Sequence, residues 1–252
     1  MDLKLNLFSS FALCFLVLLP VLCLSGEPYT RSRAGYYKSS DGLGTPSGEC
    51  GYGEFGRTVN RGLVATVSDR LYRNGTGCGA CYKVRCTIPK LCSKDGVTVV
   101  ATDEGKKNVG TDFILSPKGF TKLALPDRAS ELKKYGVVDI EYQRIPCKYP
   151  GHNLMFRVHE LSDFPDFLAM VVIYKGGISD ITAIEVLRGK QWESLRNAYG
   201  ALWDITDPPR GPLTLRIQVM SRNGVKNWFI AKDVLPTFWD QGNVYDSGFQ
   251  LP

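Results

Sequence analysis

Six cysteines crowd into the first half of this chain, at Cys50, Cys78, Cys81, Cys86, Cys92 and Cys147, and none follows them. An even set of this kind in an exported chain reads as a disulfide framework. The N-terminus predicts that export. Leu7 to Leu24 is almost continuously apolar, broken only by Ser9, Ser10 and Pro20, and it follows Lys4 and runs into Cys23, Ser25 and Gly26. A positive start, an apolar middle and a small-residue end describe a secretory signal peptide. The run is short for a membrane span, which takes about 20 apolar residues. Residues 1–25 are therefore expected to leave as a signal peptide, taking Cys14 and Cys23 with them. The mature chain is expected to be extracellular, free of the membrane and monomeric.

Zinc is the rival reading of Cys78-Gly79-Ala80-Cys81. It is disfavoured by an oxidising compartment and by a chain with only His152 and His159 as histidines. A redox Cys-x-x-Cys is disfavoured too, since no βαβ pattern surrounds it. No cofactor is expected. Six cysteines allow many pairings, and their spacing does not choose among them.

The remaining sequence divides at Cys147. Residues 27–147 carry 19 Lys or Arg against 13 Asp or Glu, whereas residues 148–252 carry 11 of each sign. A basic first half outside the cell would favour an acidic polysaccharide such as pectin, or serve solubility alone. The basic residues follow no nucleic-acid-binding pattern, so nucleic acid is excluded as a partner. Lys148-Tyr149-Pro150-Gly151-His152-Asn153 has the composition of a linker or first turn. Two domains are expected, over residues 26–148 and 149–252.

Short β-type runs dominate both. Residues 96–101 and 137–142 read as strands in the first half, and residues 167–174, 182–187 and 213–219 in the second. The last alternates, with Leu213, Leu215, Ile217 and Val219 on one face and Thr214, Arg216 and Gln218 on the other, as a strand with one buried side requires. One helix is expected over Pro117 to Ala124. The pattern predicts an all-β protein, with a barrel first and a sandwich second.

Several segments then resemble one family. Glu49-Cys50-Gly51-Tyr52-Gly53 is similar to the Cys-Gly-Tyr-Gly segment of plant expansins. Cys78-Gly79-Ala80-Cys81-Tyr82-Lys83-Val84-Arg85-Cys86 resembles their Cys-Gly-Ala-Cys-aromatic segment, and Arg144-Ile145-Pro146-Cys147 their closing Arg-Val-Pro-Cys. In the second half, Phe164-Pro165-Asp166-Phe167-Leu168-Ala169, Arg196-Asn197-Ala198-Tyr199-Gly200-Ala201-Leu202-Trp203 and Ile230-Ala231-Lys232-Asp233-Val234-Leu235-Pro236 resemble expansin binding-domain segments. The order of these segments covers the mature chain and is most like the expansin-like B subfamily.

The resemblance implies a double-psi β-barrel followed by an immunoglobulin-like carbohydrate-binding β-sandwich. It also implies the pairing Cys50 with Cys78, Cys81 with Cys147 and Cys86 with Cys92. In the barrel groove it implies polysaccharide contact through Tyr37 and Asp103, and Asp112 is a further candidate for that contact. On the sandwich it implies an aromatic platform of Phe167 and Tyr199, whose rings would stack on the C–H faces of a glucan such as cellulose or xyloglucan. Trp192 and Trp203 are expected to pack the sandwich, one or both. Asn74-Gly75-Thr76 is the chain's sequon for N-glycosylation, in a turn-like stretch.

One position departs from the family. Where typical expansins carry His-Phe-Asp-Leu-Ser, this chain reads Asp112-Phe113-Ile114-Leu115-Ser116, so the acid matched to related glycoside hydrolases is Ile114. Glycoside hydrolysis takes two carboxyl groups, and isoleucine supplies neither proton nor nucleophile. Asp112 is the relocated alternative, on the same face as Ile114 if the segment is extended. The expectation is a non-hydrolytic wall-loosening protein. The alternatives are a binding or signalling module without loosening, and a weak hydrolase using Asp103 with Asp112.

Overall fold

The computed structural model describes residues 28–105 and 110–252. The expected signal peptide lies outside the described residues. Among them, no helix is long and apolar enough to cross a membrane.

The first half closes into a barrel. Its strands are β1 (Thr30–Tyr36), β2 (Val64–Ser68), β3 (Cys81–Cys86), β4 (Val97–Gly105), β5 (Phe113–Leu115) and β6 (Val138–Ile145), hydrogen-bonded in the order β1-β5-β2-β4-β3-β6. The β1/β5 and β2/β4 pairs are parallel and the other ladders antiparallel. Period-2 alternation sends Phe113, Leu115, Tyr82, Val84, Ile140 and Tyr142 into the interior, where each is buried. The protein is thus all-β, opening with a double-psi barrel.

Three disulfides tie this half: Cys50–Cys78, Cys81–Cys147 and Cys86–Cys92. The helix expected from Pro117 stops at Thr121 instead of Ala124. Ser116 caps its start, accepting from the Gly119 amide at 3.1 Å. Beyond it, the Ser93 amide bonds the Leu123 carbonyl and the Leu125 amide bonds the Leu91 carbonyl. The disulfide loop of Cys92 therefore draws the chain into a β-bridge and ends the helix.

The second half is an antiparallel, immunoglobulin-like sandwich. One sheet holds β7 (Met155–Val158), β8 (Phe167–Ile173), β11 (Arg196–Tyr199), β12 (Leu202–Thr206) and β15 (Val244–Asp246), and the other β9 (Asp180–Arg188), β10 (Gln191–Ser194), β13 (Leu213–Met220) and β14 (Lys226–Leu235). The alternation read in 213–219 is realised, with Leu213, Leu215, Ile217 and Val219 buried between the sheets. Trp203 lies in that core, whereas Trp192 sits outside it against the Arg216 guanidinium.

The five-stranded sheet turns its other face to the barrel. Ala169, Val171, Ile173 and Leu202 join the barrel's own apolar cluster, so the two halves share a core. Backbones meet there with no room for side chains: a Cβ on Gly200 would lie 2.5 Å from the Glu49 carbonyl, and one on Gly75 would lie 2.8 Å from Gly200. The Ala201 amide bonds the Cys50 carbonyl across the seam at 3.0 Å. Charge reinforces it. Asp180 of the sandwich is gripped by two barrel arginines, Arg73 at 2.5 Å and 3.0 Å and Arg144 at 2.5 Å and 3.2 Å.

Beside this cluster lies Lys175, 6% exposed. Burial and the neighbouring Arg144 and Arg73 charges push its ammonium down to about 7, with Asp180 opposing. The unfolded chain therefore holds one more proton than the native one between that value and the ordinary 10.5, so this group makes stability rise with pH across the window. Lys175→Met should raise stability by a few kcal/mol below pH 7 and progressively less towards pH 10, as read from urea melts at a series of pH values.

Candidate functional site

The site is built outward from one bulge. Along β4, Ala101 points into the barrel, and strict alternation would send Asp103 after it. The ladder to β2 shifts register here: Ala65 faces Ala101, but Thr66 faces Asp103, so Thr102 is an extra residue. The bulge returns Asp103 to the outer face beside Thr66, a re-aiming for which bulges next to functional sites are known. A single rung then runs Gly35–Ile114–Thr66–Asp103 across four strands. Position 114 is two strands from Asp103, about 9.5 Å. A carboxyl at 114 would face Asp103 across Thr66 at roughly the separation of an inverting carboxyl pair. Ile114 places no carboxyl there.

Asp103 has other work. One oxygen accepts from the Glu49 amide at 2.7 Å and the Glu104 amide at 2.8 Å, the other from the Thr66 hydroxyl at 2.9 Å. It thus pins the loop that carries Cys50 to the barrel wall. Gly48 allows the close approach, since a Cβ there would lie 2.6 Å from the Thr102 carbonyl. The Tyr37 phenol is pushed well above its ordinary range, first by burial and then by the Asp103 charge, so the two are within electrostatic reach of each other.

Asp112 is set apart from them. Its carboxylate accepts from the Ser68 hydroxyl at 2.7 Å and from Arg70 at 2.6 Å. Against the effect of partial burial, bonds from Ser68, Ser32 and Arg70 hold this carboxyl below the usual carboxylate range. A general acid must be protonated when it acts, and Asp112 is held ionised. The relocated acid is not supported by its surroundings.

On the sandwich, Phe167 and Tyr199 project from the same, barrel-side face of the five-stranded sheet, but they do not touch. Tyr199 is near the rung to Val171 through Leu202, while Phe167 pairs with Thr206. Four residues of strand and two strand spacings put them about 13 Å apart in one direction and about 9.5 Å in the other. The Arg196–Asp204 ion pair, at 2.6 Å, lies on the ladder between them. Tyr199 is 42% exposed, and its ring lies over Gly51, whose added Cβ would sit 3.0 Å from it. Phe167 is half-buried against the shared cluster and offers less of its ring.

Tyr199 also closes a cleft that the sequence did not reveal. A volume of about 580 Å³ opens between the Pro46–Glu54 loop of the barrel and Arg157, His159 and Glu160 of the sandwich. Its walls come from residues about 100 positions apart in the chain, and no local pattern announces them. Arg157 donates to Glu160 at 2.7 Å. Burial, and less strongly the Arg157 charge, push His159 down against the pull of Glu160. Glu49, Glu54 and Glu160 outnumber the single arginine, and the cleft is acidic on balance. Asn74 is exposed in a turn with positive φ and is not among the residues lining the cleft.

A disulfide-tied double-psi barrel sharing a core with an immunoglobulin-like sandwich defines a class of two-domain, groove-bearing proteins. Comparison with known proteins makes the class specific. The expansin C-terminal domain model matches residues 154–236, and a model described as lytic transglycolase matches residues 64–142. Expansin-like B1 of Arabidopsis thaliana is 51% identical over 94% of both chains, and expansin-like B1 of Oryza sativa subsp. japonica 44% over 88% of both. The chain belongs to the plant expansin superfamily, among the expansin-like proteins. Its identity to expansin-like A3 of Arabidopsis thaliana is lower, at 38% over 88% of this chain and 84% of that one. The fold recurs in the apo expansin of Clavibacter michiganensis, with a TM-score of 0.65 at 22% identity over 88% of this chain and 98% of that one. It recurs also in a point mutant of that expansin solved with cellohexaose, with a TM-score of 0.64 at 23% identity over 87% and 96%.

Asp103→Ala would leave the Glu49 amide and Thr66 hydroxyl without their acceptor. The expected result is a loss of about 2 kcal/mol in urea melts, with faster amide exchange at Glu49 than in the parent.

Proposed function

We propose that this protein binds neutral cell-wall glucan across the seam between its two halves and loosens the wall without cleaving a bond. The observation that carries the reading is the cleft closed by Tyr199, one lip of which is the loop that Asp103 holds through the Glu49 amide. A glucan chain presents apolar C–H faces and hydroxyl edges. Tyr199 takes the first, and Glu49, Glu54, Glu160 and Arg157 meet the second with strong acceptors and a donor. Such contacts compete with those between wall polymers and involve no covalent step. Phe167 adds a second, weaker ring further along the sheet.

The acid balance of the cleft favours neutral over acidic chains, since a uronate would meet three carboxylates there. Cellohexaose bound to the Clavibacter michiganensis relative is in keeping with this ligand class. The absent acid at Ile114 and the committed hydrogen bonds of Asp103 both speak against a hydrolase. Secretion through residues 1–25, a chain divided at about residue 148, glycosylation at Asn74 and a monomeric state complete the proposal, with the exposed turn at Asn74 in favour of the third.

Affinity electrophoresis in gels containing xyloglucan or soluble cellulose derivative tests this reading. Tyr199→Ala should weaken retardation by about tenfold, and Phe167→Ala by only about threefold. Equal losses, or none with Tyr199→Ala, would remove the cleft from the account.

A further inference from the structure

The loop that borders the cleft also borders a second opening. Residues 159–166 join β7 to β8. His159 and Glu160, at one end of this loop, line the cleft, and Phe164 and Pro165, at the other, line a pocket of about 230 Å³. Pro209, Arg210, Phe238 and Trp239 line it too. We propose that this pocket is a further sugar subsite, taking a pyranose of the same neutral glucan chain that enters the cleft, a role that rests on the cleft being a glucan site.

Three observations carry the assignment. First, aromatic rings are presented to solvent and held there. Phe238 is 76% exposed, and Phe164 and Leu161 on the loop are exposed as well. Single apolar side chains on a surface are ordinary, but a group of them marks a contact site. Trp239 is buried in the sandwich core, and Phe164 meets it in a T-shaped contact with ring centres 5.0 Å apart. Phe238 packs on Phe164 in turn, at 5.8 Å. The backbone is tied down as well: the Asp163 amide bonds the Phe167 carbonyl at 2.8 Å, and the Gln241 side chain donates to the Ser162 carbonyl. Rings fixed in this way before a ligand arrives lose little freedom on binding it.

Second, the lining offers both kinds of surface that a pyranose has. The rings match its C–H face. Arg210 and Thr237 match its hydroxyls. Arg210 is exposed and donates to Asp166 at 3.1 Å, which leaves most donors of its fork open. Asp166 and Asp207 both lie against this guanidinium, so the pocket carries no positive surplus that would select an anion.

Third, the loop sets the spacing. Glu160 and Phe164 are four residues apart, so their backbones lie within about 14 Å of each other. One short oligosaccharide can therefore reach both openings. A second contact made by a ligand already held gains from its high effective concentration, so neither opening needs to bind tightly alone.

The experiment is isothermal titration of the purified mature chain with cellohexaose, and with cellobiose as a ligand too short to span both openings. The parent should bind cellohexaose about tenfold more tightly than cellobiose. Phe238→Ala, at an exposed position, should weaken cellohexaose by about tenfold and Arg210→Gln by about threefold, while Phe238→Trp, which keeps a ring, should match the parent. A loss with Tyr199→Ala but none with Phe238→Ala or Arg210→Gln overturns the subsite and leaves the cleft standing. A parent that does not bind cellohexaose removes the glucan reading and the subsite together. Sedimentation velocity supplies the other contrary result: a dimer of the parent that Phe238→Ala dissociates would assign the rings to a second copy of this chain and overturn the sugar.

Discussion

Asp180 sets the geometry on which the rest depends. One buried carboxylate from the first residue of a sandwich strand is held by two arginines from different parts of the barrel, and it fixes how the halves face each other. A buried ion pair contributes little net stability, because desolvation offsets most of the attraction. What it adds is direction. The apolar cluster shared between the halves supplies the adhesion, and the charges select one orientation from those an apolar face alone would accept. The cleft exists only in that orientation, since it takes walls from both halves.

The bulge at Thr102 performs the same service on a smaller scale. Without it Asp103 would follow Ala101 into the barrel, where a carboxylate would lose its water. With it, Asp103 reaches the outer face and organises the loop that forms one lip of the cleft. In this protein the acid of the groove serves as an anchor for backbone amides. Across the rung from it stands an isoleucine, so no second carboxyl faces it from that position.

Much of the fold was legible because periodicity and turn chemistry are local. The strand at 213–219 announced its buried face by alternation, and a helix was expected from Pro117, where one begins. That helix ended early because the Cys86–Cys92 loop, which is not local, drew residues 123–125 into a bridge. The site was legible only in pieces. Tyr37, Asp103 and Tyr199 were named from resemblance, but the register shift that aims Asp103 leaves no mark in composition. Arg157 and Glu160 escaped notice because their meaning comes from a loop about 100 residues earlier. Phe167 and Tyr199, expected as a ring platform, share one sheet face but sit on different rungs, as Thr206 and Leu202 set them.

A protein that loosens a wall by contact must extend it without releasing sugar. Creep of heat-inactivated plant wall strips under constant load, with reducing ends assayed in the same bath, tests that claim directly. The account predicts extension with no reducing ends above the buffer control. Reducing ends rising in step with extension, or strips that bind the protein and do not extend, would contradict it.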